Sequence, residues 1–173
     1  NGAIGARYMK GAFSTIGVVD TYHYANTQDD AGYTANLSVA YDFNVAKVFL
    51  AGQYFKDMRY LGKAAINDTV SGASVFGNST AKDGWGINLG ATAPAFGGKF
   101  YAAVGYMDAD HSDDTAGKLK RYTVSLGYDY SLSKRTLVYA GAGYMHDKYD
   151  DFAATTVGSA YNYGVTAGLV HKF

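Results

Sequence analysis

The side chains best suited to chemistry form an acidic group around one histidine. They are Asp108, Asp110, His111, Asp113 and Asp114. Clustered carboxylates offer hard oxygen ligands of the kind that Ca²⁺ prefers. The segment lacks the glycine and the terminal glutamate of an EF-hand loop. We therefore interpret it as a solvated acidic loop and predict no metal site.

No other grouping in the sequence predicts catalysis or a cofactor. Metal-ligand spacing is absent among His23, His111, His146 and His171. The glycine-rich stretches 84–90 and 141–143 lack the Gly-Lys-Ser/Thr of a phosphate loop. Neither a nucleophile elbow nor a catalytic triad is evident. The sequence thus predicts a protein that is not an enzyme and that needs no cofactor.

Polar residues recur instead at every second position, opposite large apolar residues. In 33–43, Tyr33, Leu37 and Tyr41 alternate with small or polar side chains. A period of two gives a strand one apolar and one polar face. The same reading predicts nine strands, at 2–9, 12–24, 33–43, 47–57, 84–93, 99–107, 119–130, 135–147 and 161–173. Within 12–24 the alternation is irregular around 16–19, and the faces there stay unassigned.

The predicted connections alternate between short and long. The short ones are 10–11, 44–46, 94–98 and 131–134, and the long ones are 25–32, 59–82, 108–118 and 148–160. Short turns at one end and long polar loops at the other are typical of outer-membrane barrels. Strands of about 10 residues also suit a tilted membrane crossing. The predicted fold is therefore all-β, an antiparallel transmembrane β-barrel wall.

The polar faces of these strands supply candidate pore-lining residues. They are Arg7, Asn36, Ser38, Asp42, Gln53, Asn88, Thr92, Arg121, Ser125, Asp129 and Asn162. In a wide barrel the lumen is filled with water, so such groups need no buried partner. Arg7 and Arg121 are the charges that we expect a passing solute to feel. The alternative is the solvated face of a soluble sheet.

Aromatic residues gather near the strand ends. We predict that six of them lie at the membrane–water interfaces: Tyr41, Phe43, Trp85, Tyr122, Tyr128 and Tyr130. Both interfaces of a bilayer favour amphipathic rings. Ordinary burial in a soluble sandwich core is the alternative.

The composition agrees with strands and excludes several other classes. All fifteen acidic residues are aspartate, and there are 22 glycines, 17 tyrosines, one proline and no cysteine. Disulfide scaffolds and thiolate metal sites are excluded. The net charge is zero, which gives no reason to expect nucleic acid as a partner. No apolar run approaches the roughly 20 residues of a membrane helix.

Several segments resemble the general porins of Gram-negative bacteria, especially the beta-proteobacterial and neisserial type. They are 121–136, 4–8, 40–43, 48–54 and the C-terminal 168–173, which ends on Phe173. The resemblance implies a homotrimer of sixteen-stranded barrels that passes small hydrophilic solutes and ions by diffusion. Residues 1–173 would be a single domain, the C-terminal half of such a barrel. The first seven strands, the signal peptide and the constriction loop would be missing.

The same resemblance implies location in the outer membrane, with contacts to its lipid and lipopolysaccharide. Phe173 would be the assembly signal that the barrel-assembly machinery reads. Divalent bridging between the acidic loop and lipopolysaccharide stays open. So do four other functions: a substrate-specific porin, a small outer-membrane barrel with a structural or adhesive role, a membrane-barrel enzyme and a soluble all-β binding module.

Overall fold

The fold is a single antiparallel sheet whose nine strands follow one another in chain order. The computed structural model describes residues 1–23, 31–57, 82–111, 118–150 and 158–173. The strands are β1 (Gly2–Lys10), β2 (Phe13–Tyr22), β3 (Gly32–Asp42), β4 (Lys47–Lys56), β5 (Lys82–Ala95), β6 (Gly98–His111), β7 (Lys118–Ser131), β8 (Thr136–Asp150) and β9 (Gly158–His171). The predicted all-β class and strand number are confirmed. None of the described segments contains a helix that could cross a bilayer.

The four short connections are tight turns. Positive φ angles or hydrogen bonds from side chains to the nearby backbone define them. Phe96 and Gly97 both have positive φ, at 49° and 80°, as a two-residue hairpin loop of the primed type requires. Asn44 has φ 67°, and its N–H donates to Asp42 Oδ1 at 2.9 Å. In the last turn Ser133 Oγ accepts the N–H of Thr136 at 3.0 Å. Asparagine and serine favour turns because their side chains bond to nearby backbone.

Several boundaries differ from the prediction. The first turn is Gly11–Ala12 instead of 10–11, and the third is Phe96–Gly97. Pro94 belongs to β5. β4 begins opposite Thr92, so Pro94 lies beyond the last pair of that ladder, as strand prolines usually do. From β5 to β8 the strands reach 14 or 15 residues, because charged residues continue the pairing past the predicted ends.

The register settles which residues share a face. Directly opposite residues in a ladder point to the same side of a sheet. Ile16 lies between Arg7 and Ser38, so Ile16 and Val18 belong to the polar face. Gly17 and Val19 therefore point to the other side. The register thus assigns the faces of the segment 16–19, whose irregular alternation leaves them undetermined in the sequence.

The sheet has little internal core. Among the described residues, the buried hydrophobic side chains are Phe55, Ala109 and Leu119. Large apolar side chains are instead exposed along the face opposite the polar one; Ile4 is 78% exposed and Leu37 is 56% exposed. In water such a surface would be unfavourable, since burial of apolar area stabilises folded chains by about 25 cal/mol per Å². This surface requires an apolar environment.

β1 and β9 are the edges of the sheet, and no pairing joins them in the part of the chain that the structure describes. Every residue of β1 is exposed. An edge strand presents unpaired N–H and C=O groups that can pair with a further strand. The nine strands therefore form an open wall with two edges available for pairing.

Candidate functional site

The polar face is built from rows of residues that run across the ladders. One row is Arg7, Ile16, Ser38, Ala51, Asn88, Gly105, Thr123, Met145 and Asn162. The neighbouring row is Gly5, Val18, Asn36, Gln53, Gly86, Met107, Arg121, Asp147 and Ala160. Amide, hydroxyl and glycine residues dominate the middle of both rows. Such a surface can exchange hydrogen bonds with water and with hydrophilic solutes.

All eleven residues predicted to line a pore lie on this one face. Asn36, Gln53 and Arg121 belong to one row, while Arg7, Ser38, Asn88 and Asn162 belong to the other. The remaining four have the same parity further along their strands: Asp42, Thr92, Ser125 and Asp129. Their contact with a solute stays a prediction.

Arg121 is not an isolated cation on this face. Its Nε donates to Asp147 Oδ1 and its second guanidinium nitrogen donates to Asp147 Oδ2, both at 2.7 Å. The side chains of Arg121 and Asp147 are 14% and 1% exposed. A bidentate arginine–carboxylate pair of this kind is strong and geometrically fixed. Asp147 therefore compensates the charge of Arg121, and the two side chains form a neutral pair.

The sequence does not predict Asp147 as the partner of Arg121, because that pairing depends on the register between β7 and β8. The predicted turn at 131–134 would place Arg121 opposite Tyr144, whereas the structure pairs Arg121 with Asp147. The period of two within 135–147 is the sequence signal that could have placed Asp147 on the polar face. Counting in steps of two from Gly141 and Gly143 leads to Met145 and Asp147 on the same face.

Further polar contacts lie along the same face, both between neighbouring strands and within one strand. Thr34 Oγ1 donates to Asp20 Oδ2 at 2.9 Å, and Asn36 Nδ2 donates to Thr34 Oγ1 at 3.1 Å. Lower on the wall, Tyr101 donates its hydroxyl to Asp129 Oδ2 at 2.6 Å. These bonds hold side chains on the polar face in fixed orientations.

Aromatic rings on the polar face lie across glycines of the adjacent strand. A Cβ at Gly90 would coincide with ring atoms of Phe49, its direct partner in the ladder. A Cβ at Gly168 would approach the Tyr139 ring to 2.5 Å. Glycine thus lets each ring lie along the wall, an arrangement known to stabilise glycines in sheets. The rings consequently occupy less of the space in front of the polar face.

The opposite face is apolar and carries two groups of aromatic rings. Near the long connections, Tyr106 lies 5.4 Å from Trp85 and 5.2 Å from Tyr122, measured between ring centroids. Near the short turns, the Tyr41 and Phe43 rings are 4.6 Å apart. Leu, Val and Ile residues occupy the band between: Leu37, Val39, Leu50, Ile87, Leu89, Val104, Val124, Leu126, Val165 and Leu169.

Tyr128 and Tyr130, also predicted at the interface, lie on this apolar face by register. The Tyr128 hydroxyl donates to the backbone oxygens of Ala95 and Phe96, at 2.9 and 3.0 Å. An apolar band between two aromatic groups is the pattern found on membrane-spanning barrels. The position of these rings relative to a bilayer stays a prediction.

The acidic group lies partly outside the described residues. Asp113 and Asp114 are among the residues that the structure does not describe, and so is the side chain of His111. Asp108 accepts the Tyr106 hydroxyl at 3.0 Å, and Asp110 lies 3.8 Å from the Lys118 ammonium. In the described ranges no three histidine or acidic residues are arranged to hold a metal ion.

Comparison with known proteins identifies the family. Residues 2–151 match the Gram-negative porin family. The chain belongs to the Gram-negative porin family. It is 29% identical over 183 residues to an outer membrane porin protein of Bordetella pertussis, a match that covers 98% of this chain and 45% of that protein.

Solved structures of outer membrane proteins share the fold of this porin. OmpT of Vibrio cholerae, folded in vitro and solved in a trimer form, superposes with a TM-score of 0.72 at 14% identity, over 99% of this chain and 49% of OmpT. The anion-selective porin of Comamonas acidovorans superposes with a TM-score of 0.62 at 20% identity. That match covers 98% of this chain and 48% of the Comamonas protein. This porin chain thus spans about half the length of the relatives it matches.

Proposed function

We propose that this chain forms about half of the wall of a diffusion channel in the outer membrane. Small hydrophilic solutes and ions would cross through the lumen that the polar face borders. The observation that carries the proposal is the separation of a mostly polar face from a mostly apolar face over nine strands. The apolar band and its two aromatic groups fit lipid, and the amide- and glycine-rich rows fit water.

Passage through such a channel needs no catalytic group. Wall amides and hydroxyls replace part of the hydration of a solute, and wall charges set the field that an ion meets. We expect the compensated pair Arg121–Asp147 to contribute little net field. Arg7 has no ion-pair partner within the described ranges, and we expect its charge to contribute more. We also expect no catalytic activity and no cofactor.

The complete protein is expected to be a homotrimer in contact with outer-membrane lipid and lipopolysaccharide. Support comes from the trimer form of OmpT, whose fold the chain shares. We further propose that Phe173 is read by the barrel-assembly machinery. Its ring lies 5.0 Å from that of His171 at the end of β9, and its side chain is fully exposed.

Deleting Phe173 from the complete protein should sharply reduce its level in isolated outer membranes. The proposed reason is lost recognition during insertion, because the ring makes little contact with the remainder of the wall. Replacing the exposed Phe96 with asparagine, which keeps the length of its turn, controls for general loss of an aromatic residue. Normal membrane levels without Phe173 would contradict this role.

The channel is tested by electrical recording in planar bilayers. The complete protein should give conductance steps of uniform size. Residues 1–173 alone should not, because nine antiparallel strands leave β1 and β9 running in the same direction. Closing them would require a parallel seam, whereas an open wall exposes backbone groups that each cost several kcal/mol in hydrocarbon.

Two results would overturn these expectations. Absence of uniform steps from the complete protein would contradict the channel. Uniform steps from residues 1–173 alone would show that the nine strands close into a self-sufficient small barrel.

A further inference from the structure

A depression of about 320 Å³ lies on the polar face, spanning β3 to β7. Its polar lining comprises Asn36, Ser38, Gln53, Asn88, Arg121 and Thr123. Gly86 lies between these side chains and leaves its backbone open to a ligand, while Gly105 lets the side chains of Thr123 and Asn88 approach the wall. We name this depression the amide cradle.

The glycines create the cradle. A Cβ at Gly105 would lie 2.5 Å from Thr123 Oγ1 and 3.0 Å from Asn88 Nδ2, so these two polar groups converge above the bare backbone. A Cβ at Gly86 would meet nothing closer than the Tyr106 carbonyl oxygen at 3.5 Å. Glycine inside a strand often marks a place where a ligand approaches the backbone closely.

The cradle is electrically neutral. Its three amides, from Asn36, Gln53 and Asn88, offer both donors and acceptors without charge. Arg121 borders the cradle, but Asp147 holds its guanidinium in a bidentate pair at 2.7 Å. An anion would therefore find no free cation among these lining residues, while a neutral solute with several hydroxyls would find matching partners.

An apolar ring lies on the same face beyond the edge of the cradle. Phe49 lies across Gly90, which follows Asn88 by two residues on β5, a distance of about 7 Å along a strand. Phe49 lies on the polar face and is half-buried, so part of its side chain is accessible from that face. Small-molecule sites commonly combine such an apolar surface with a few fixed polar groups. A sugar ring has an apolar C–H face, which would match the Phe49 ring, and hydroxyl groups at its edge, which would match the amides.

We infer that the amide cradle binds neutral polyhydroxylated solutes, of the size of mono- to trisaccharides, as they pass along the wall. The inference rests on the proposed channel function and adds a solute preference to it. The hydroxyls would bond to Asn36, Gln53 and Asn88, and the C–H face would contact Phe49. Binding would be weak, since a site that solutes leave rapidly does not block their passage.

The test measures block of the KCl current of the complete protein by maltotriose. Wild type should show concentration-dependent block, and a polyethylene glycol of similar size, which lacks vicinal hydroxyls, should block less. The double variant Gln53→Ala with Asn88→Ala removes two hydrogen bonds, so the maltotriose concentration for half block should rise about tenfold.

Matched glycine variants separate the cradle from general effects on the wall. Gly105→Ala places a methyl group where Thr123 and Asn88 converge, and it should weaken block by maltotriose. Gly164 lies on the same face outside the cradle, and a Cβ there would meet nothing within 4 Å. Gly164→Ala should therefore leave block by maltotriose unchanged. Equal block in wild type, the double variant and Gly105→Ala would overturn the inference.

A second readout distinguishes this inference from the channel itself. Saturation-transfer NMR detects maltotriose bound to the complete protein in detergent micelles, where no current is needed. Transfer that the double variant abolishes supports the cradle even if planar bilayers show no channel. Transfer that is the same in both proteins overturns the cradle even if the channel conducts.

Discussion

Replacing Asp147 with asparagine should lower the free energy of unfolding of the complete barrel by about 3 kcal/mol. The substitution keeps the shape of the side chain but leaves the Arg121 guanidinium without its counter-charge. Both side chains are largely buried, at 1% and 14% exposure. An uncompensated buried charge costs more than the pair contributes when intact. Urea unfolding of the protein in lipid vesicles measures the change.

An exposed ion pair at the same end of the wall supplies the control. Asp110 lies 3.8 Å from Lys118, with side chains 55% and 64% exposed. Asp110→Asn should cost less than about 1 kcal/mol, because water screens the charges. Replacing both members of the buried pair, by Arg121→Met and Asp147→Leu, should recover much of the loss. An equal loss of unfolding free energy in Asp147→Asn and Asp110→Asn would contradict the stabilising role of the buried pair Arg121–Asp147.

The Asp147→Asn variant should also change ion preference. Removing the carboxylate frees the charge of Arg121 at the lumen wall, and a free cation there favours anions. In a KCl gradient the reversal potential should therefore move toward that of chloride. An unchanged reversal potential would indicate that Arg121 does not face the ion path.

A cation in the middle of the apolar face should destabilise the barrel by about 2–4 kcal/mol. Leu126 is suited to the test, since it is 49% exposed and lies between Ala102 and Ala142 across the ladders. Leu126→Arg places the guanidinium in hydrocarbon. Its neighbour Ser125 points to the other face, so Ser125→Arg should alter conductance and leave stability nearly unchanged. Comparable destabilisation by both variants in urea would contradict the face assignment.

The sequence predicts the fold class, the number of strands and the two faces because each depends on local alternation. Leu126 and Ser125 are assigned correctly from a period of two alone. Ile16 and Val18 are not, since apolar residues also occur on the polar face and blur the period. Only the pairing with Arg7 and Ser38 resolves their direction.

Register is the property that the sequence does not supply. A turn misplaced by one residue moves every partner in the ladder, and an odd shift exchanges the two faces. This is why the ion pair between Arg121 and Asp147 emerges only from the structure. The amide cradle depends on register in the same way, because four different strands bring Asn36, Gln53, Asn88 and Thr123 together.

The most direct test of the two-faced wall is the reactivity of single cysteines in the complete protein, in a cysteine-free background in lipid. The outward set is Leu37, Val39, Leu126 and Leu169, and the inward set is Asn36, Ser38, Ser125 and Thr166. Cysteines in the outward set should react with a probe dissolved in the lipid phase. Those in the inward set should react with a charged, water-soluble thiol reagent. Equal labelling of both sets by the water-soluble reagent would contradict a membrane wall with a polar lumen.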